Sequence, residues 1–151
     1  MSNLSPWTYI VKTTTETVNN SSALQNDDVF LIPGVANNDI IVGSLHLVVA
    51  NSNATPDFKF DFTGIDYLRW TWSAWDTAGI QTGGSDNSGG ASSLFDSTAP
   101  LNIWNPLTID FVGIQSGGGP VTMNFRWAQN VATAANTQVM AGSIMQYRND
   151  H

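Results

Sequence analysis

Asp57-Phe58-Lys59-Phe60-Asp61-Phe62 alternates charged and apolar residues without exception. Side chains of a strand point to opposite faces in turn, so Phe58, Phe60 and Phe62 share one face and Asp57, Lys59 and Asp61 the other. Burying three Phe contributes roughly 5–9 kcal/mol before chain entropy is charged, comparable with a domain's whole net stability. The segment is read as a strand with one face in a core.

The same period recurs on both sides. Tyr67 to Trp75 sends Leu68, Trp70, Trp72 and Ala74 one way and Tyr67, Arg69, Thr71, Ser73 and Trp75 the other. Leu107 to Gln115 aligns Leu107, Ile109 and Phe111, and Pro120 to Ala128 aligns Val121, Met123, Phe125 and Trp127. Thr8 to Thr13 is β-branched and aromatic, and Val29-Phe30-Leu31-Ile32 is an apolar run stopped by Pro33-Gly34. Asp39 to Ala50 is apolar on both faces, which fits a strand buried on both sides over part of its length. Gln138 to Arg148 reads as a last strand, with Gly142 as a bulge or close-approach site and small Ser143 facing a crowded centre.

Gly79 to Gly90 reads as a flexible surface loop and Gly117-Gly118-Gly119 as a turn. Ala128 to Ala135 is too short and uncapped for a helix. About eight strands with turns between them predict an all-β fold, an antiparallel β-sandwich or jelly roll. The length fits one domain. Within it, residues 1–27 form an N-terminal segment with the first strand, and residues 28–151 form the sandwich. Thr14 to Asp28 is the least structured part, either a loop over the sandwich edge or an arm that grips a neighbouring subunit.

Composition excludes several functions. The net charge is −7, and the five cations Lys12, Lys59, Arg69, Arg126 and Arg148 are scattered. No basic stripe is available to neutralise phosphates, which argues against nucleic acid and anionic membrane as partners. There are no cysteines, so thiolate chemistry and disulfides are absent. Met1 to Trp7 lacks the basic and apolar regions of a signal peptide, and synthesis in a cytoplasm is expected.

No catalytic constellation stands out. Of two histidines, His46 lies in the most apolar strand and is expected to be structural and hydrogen-bonded, while His151 is the last residue. Gly43-Ser44-Leu45 lacks the second glycine of a nucleophile elbow. Asp57 and Asp61 share a face, but Lys59 stands between them, so a surface charge pattern is expected rather than a glycosidase pair. Asp86-Asn87-Ser88-Gly89 lacks the later ligands of an EF-hand loop. The expectation is no enzyme, no catalytic residue, no metal site and no cofactor. Six Trp are many for one core, so at least one is expected at an interface. Leu4, Trp7, Tyr9, Trp75 and Trp104 are the interface candidates. Trp75, beside Asp76, is also a candidate for stacking on a glycan.

Four pieces of the chain, in order, resemble a recurrent jelly-roll structural module of tailed bacteriophages. They are Tyr9-Ile10-Val11-Lys12 with Glu16 to Ser21 and Leu24 to Asp28; Asp57 to Gly64; Phe125-Arg126-Trp127-Ala128-Gln129; and Val139-Met140-Ala141-Gly142-Ser143. The stretch from Trp70 to Trp104 departs from the pattern and is expected to hold protein-specific loops. The resemblance implies a non-enzymatic virion protein of jelly-roll type, a capsid decoration or cement protein. It would partner with itself as a homotrimer and with the major capsid protein. The other placement it implies is a tail fibre, spike tip or minor tail protein, touching tail proteins and binding host surface glycans. The family has no catalytic residues to carry over.

Overall fold

The structure, a computed structural model, describes residues 5–53, 56–75, 81–87, 93–95 and 104–151. It holds twelve described strands and, among the described residues, no helix. They are β1 (Thr8–Val11), β2 (Glu16–Asn19), β3 (Gln25–Val35), β4 (Ile40–Asn51), β5 (Phe58–Thr63) and β6 (Tyr67–Trp75), then β7 (Gln81–Asn87), β8 (Ser93–Phe95), β9 (Asn105–Ile114), β10 (Val121–Gln129), β11 (Asn136–Val139) and β12 (Ile144–Asp150).

The eight strands from β3 to β10 form a jelly roll. β3 pairs with β10, β4 with β9, β5 with β8 and β6 with β7, all antiparallel. That is one long two-stranded ribbon turning back between β6 and β7. Wrapping the ribbon brings β10 against β5 and β9 against β6. The result is a smaller sheet, β3-β10-β5-β8, facing a larger one that contains β4-β9-β6-β7. The four additional strands come from the two ends of the chain. β12 and β11 both pair with the free side of β4, β1 pairs with β12, and β2 pairs with β11. Of the eight strands the sequence predicts, six belong to the jelly roll (β3, β4, β5, β6, β9 and β10). The other two correspond to β1 and to the β11–β12 stretch, which with β2 extend the larger sheet to eight strands, while β7 and β8 have no counterpart among the predicted strands.

The core lies between the sheets. Phe58, Phe60 and Phe62 are all buried. Phe62 packs on Trp70, Phe111 and Phe125, Phe60 on Phe125 and Trp72, and Phe58 stacks on Trp127 at 5.6 Å. Aromatic pairs at this range add to the area they bury.

Three local expectations are corrected. Residues 81–87 are not loop but β7, because Trp72 lies against their glycines. A Cβ on Gly83 would meet the Trp72 carbonyl oxygen at 2.5 Å, and one on Gly84 the indole nitrogen at 2.8 Å. Glycine serves close approach here, not flexibility. The last strand is two strands, split by a turn in which Gly142 has φ 91° and an added Cβ would meet nothing. Gly142 is thus a turn residue, not a close-approach site. Finally, Thr14 to Asp28 is largely ordered: Val18 of β2 is in the core, and β3 begins at Gln25.

Ser143 is fully buried and its hydroxyl accepts a hydrogen bond from the Val48 N–H. Gln129 is also fully buried. Its amide nitrogen donates to the Ala135 carbonyl, and its amide oxygen accepts from the Ser21 and Thr133 N–H groups. One side chain thereby fixes the Ala-rich loop that the sequence leaves without structure.

Candidate functional site: the outer face of the larger sheet

Polarity separates the two outer faces. Among the described residues ten large apolar side chains are exposed: Trp7, Tyr9, Val11, Ile40, Tyr67, Trp75, Trp104, Val112, Ile114 and Val131. Strand alternation and register put all but Trp104 and Val131 on the outer face of the larger sheet. The outer face of the smaller sheet carries Lys59, Asp61, Thr63, Asn124 and Arg126 instead, with Arg126 paired to Asp61 at 2.6 Å. Apolar surface gathered on one face marks a contact site.

The pairing register orders that face into rows running across the strands. One row reads Tyr9, Gln146, Ser44, Asp110, Thr71, Ser85. The next reads Arg148, Val42, Val112, Arg69, Asn87, and Trp7 lies with its ring 5.5 Å from the Arg148 guanidinium. A third reads Asp150, Ile40, Ile114, Tyr67 and is largely apolar. Between the first two rows lies an open cleft of about 740 Å³, bounded by Trp7 on one side and reaching β7 on the other.

The cleft floor is mixed, with Val42 and Val112 as its apolar part and a polar row beside them. The Gln146 amide donates to the Ser44 hydroxyl at 2.9 Å, and His46 Nε2 lies 3.3 Å from the same hydroxyl. His46 thus makes the expected side-chain contact, but from an exposed position, since its strand presents only its other side to the core. Arg69 and Asp110 are exposed, and among the described residues neither has an ion-pair or hydrogen-bond partner. They are diagonal neighbours on β6 and β9, since Thr71 is the register partner of Asp110.

The sequence candidates separate in space. Leu4 and Asp76 lie outside the described residues. Trp7 and Tyr9 sit together at the β1 edge, Trp7 on the cleft. Trp75 ends β6 and Trp104 precedes β9, so both stand at the opposite end of the larger sheet, where Ala74 pairs with Leu107. Val131, just beyond β10, is exposed at the same end. Trp75 does not line the cleft. Reading along the chain missed Arg69, Thr71 and Asp110 as a group. Their outward direction was legible, but not that β6 and β9 are neighbours.

A second cluster went unforeseen. The ammonium of Lys12, fully buried, contacts Glu16 at 2.9 Å, Asp27 at 3.0 and 3.1 Å, and Asp28. Asp27 is buried too. It accepts hydrogen bonds from the Val29 and Phe30 N–H groups and from the Trp127 indole. Burial by itself lowers the Lys12 pKa, but the bonds to Asp28, Glu16 and Asp27 outweigh it and hold the value above 10.5. Burial pushes Glu16 above its ordinary 4.5 against the Lys12 hydrogen bond. The Lys12 hydrogen bond draws Asp28 below 3.8. The three carboxylates lie close enough to hold a metal ion, but the ammonium already occupies their common centre. The cluster ties the N-terminal strands to the sandwich.

No protein-family profile and no curated protein sequence matches the chain. Among solved structures it is similar to the CBM22-1 xylan-binding domain of Paenibacillus barcinonensis Xyn10C, at 10% identity and TM-score 0.35 over 99% of this chain and 98% of that one. It is also similar to a structure of the infectious bursal disease virus Gx strain, at 10% identity and TM-score 0.23, covering 99% of this chain and 37% of that one. A third is the VP2 subviral particle of infectious bursal disease virus, at 12% identity and TM-score 0.26, covering 98% and 40%. These likenesses concern the β-sandwich and carry nothing about function, and they include nothing specific to tailed bacteriophages. No helix among the described residues is long and apolar enough to cross a membrane.

Proposed function

We propose that this chain is a non-enzymatic virion structural protein, a capsid decoration or cement module that docks by the sandwich end bearing Trp75 and Trp104. The observation that carries this is the convergence of Trp75, Trp104 and Val131, all exposed, on one end of the sandwich. Exposed Trp is the residue type that most often anchors a protein interface. In this reading three copies assemble on the shell, bury that end against the major capsid protein and resist the pressure of packaged DNA. A tail-fibre or spike tip that binds host glycans is the second reading, and the cleft beside Trp7 favours it.

The test uses capsids stripped of the protein. The wild-type chain should rebind, and a Trp75→Ser/Trp104→Ser variant should bind about tenfold more weakly or worse. A variant that rebinds like wild type removes the docking end from the proposal. A wild-type chain with no affinity for any capsid removes the decoration reading. Sedimentation of a monomer alone at micromolar concentration counts against a trimer formed before docking.

A further inference from the structure

We infer that the cleft on the outer face of the larger sheet is a binding site for a neutral oligosaccharide. This does not depend on where in a virion the chain sits, or on its sitting in one. Four features of the cleft select the ligand class.

The first is its shape. The cleft is open and crosses the strands, and the row of side chains from Gln146 to Ser85 spans four strand spacings, roughly 19 Å. Such a trough admits an extended chain and does not enclose a small molecule. The second is its floor. Thr71 and Gln146 each offer both a donor and an acceptor, Asp110 offers acceptors and Arg69 a fork of donors, while the buried Ser44 hydroxyl holds the Gln146 amide in place. A polyhydroxylated ligand, whose every group both donates and accepts, matches that mixture.

The third is charge. Arg69 and Asp110 have opposite signs, are diagonal neighbours, and have no partner among the described residues. A phosphorylated or sulphated ligand would meet the Asp110 carboxylate, and a cationic one the Arg69 guanidinium. Hydroxyl groups satisfy both without a charge of their own. The fourth is the wall. Trp7 borders the cleft while its ring rests on Arg148 and stays 44% exposed, which leaves apolar surface for the C–H face of a sugar ring.

A peptide fits less well. Extended peptides bind by adding to a sheet edge, where free N–H and C=O groups await them. Here β12, β4, β9 and β6 are paired on both sides, so the floor offers side chains only.

The test is a printed array of neutral oligosaccharides with sialylated and sulphated counterparts, probed with the full chain displayed multivalently on beads. Binding is expected on neutral members. Asp110→Ala and Trp7→Ala should each weaken it about tenfold. Thr71→Trp, which fills the cleft from an exposed position, should abolish it with unchanged thermal melting. Lys59→Ser, on the outer face of the other sheet, should bind as wild type. Absence of binding to every neutral saccharide overturns the inference. So does preference for the sulphated set, or binding lost in Trp75→Ala but kept in Thr71→Trp. None of these outcomes bears on the stripped-capsid experiment, so the two proposals fail separately.

Discussion

Replacing Lys12 with Met probes the buried cluster most directly. Met keeps the length of the stem and its apolar packing, so the change removes the ammonium and little else. The ammonium is fully buried and contacts three carboxylates. Removing one partner of a buried pair costs about 3–5 kcal/mol, since the other charge is left uncompensated. The low end applies here. Asp27 retains the Val29, Phe30 and Trp127 donors, and the Asp28 side chain is 54% exposed and can rehydrate. A loss of about 3 kcal/mol lowers the melting temperature of a domain this size by roughly 6–12 °C. Urea denaturation at pH 7 with an unchanged m-value measures it. Lys12→Met/Asp27→Asn should recover part of the loss, because the amide removes the orphan charge and keeps an oxygen for the Val29 and Phe30 N–H groups, although its NH2 then faces the Trp127 indole N–H. A loss under about 1 kcal/mol, or a double variant no more stable than the single, would refute the claim that the ammonium neutralises a buried carboxylate.

Two further predictions concern pH and backbone. Asp28 and Asp39 sit below 3.8 in the folded chain, Asp28 through the Lys12 hydrogen bond. For Asp39, burial raises the value but the bonds from His151, the Ala36 N–H and Asn149 prevail. Both therefore contribute stability that is complete above 3.8 and lost as pH falls through their folded values. Glu16 acts oppositely: its value is raised, so its contribution is present below 4.5 and lost as pH rises through the folded value. Stability against pH should hold or rise slightly on approach to pH 4.5 from above and drop below 3.8, and Asp39→Asn should flatten the acid limb; an unaltered limb would show that Asp39 is not its source. Gly64→Ala should cost more than 3 kcal/mol by thermal melting, since at φ 89° its Cβ would stand 1.9 Å from the Thr122 carbonyl oxygen, a backbone atom that cannot swing away. Gly34→Ala, at φ 71° with nothing within 4 Å of its Cβ, should cost only about 1–2 kcal/mol of backbone strain; equal losses at the two sites would show that the contact at Gly64 is unimportant.

Strand alternation made the core legible. Phe58, Phe60, Phe62, Leu68, Trp70, Leu107, Ile109, Phe111, Met123, Phe125 and Trp127 were each assigned an inward face by period alone, and each is buried. Composition misled where glycine had a partner. Gly83 and Gly84 look like loop residues until Trp72, eleven and twelve positions earlier, is placed against them. Lys12 looked like one of five scattered cations, because nothing local marks a lysine whose counter-charges arrive from β2 and β3. Trp7 and Trp75 were both legible as exposed aromatics, yet their neighbours were not.

The sequence by itself determined the all-β class, the inward face of most long strands and the weakly charged, acidic character of the surface. These follow from residue type and a period of two, which are properties of the chain read in one dimension. Only the tertiary structure decided which strands are neighbours. That one piece of information turns Arg69, Thr71 and Asp110 into a cleft floor, separates Trp7 from Trp75, and closes three carboxylates around Lys12. The reason is physical: strand direction is set by local backbone geometry, whereas a site requires contacts between residues far apart in sequence, and these exist only once the ribbon has wrapped.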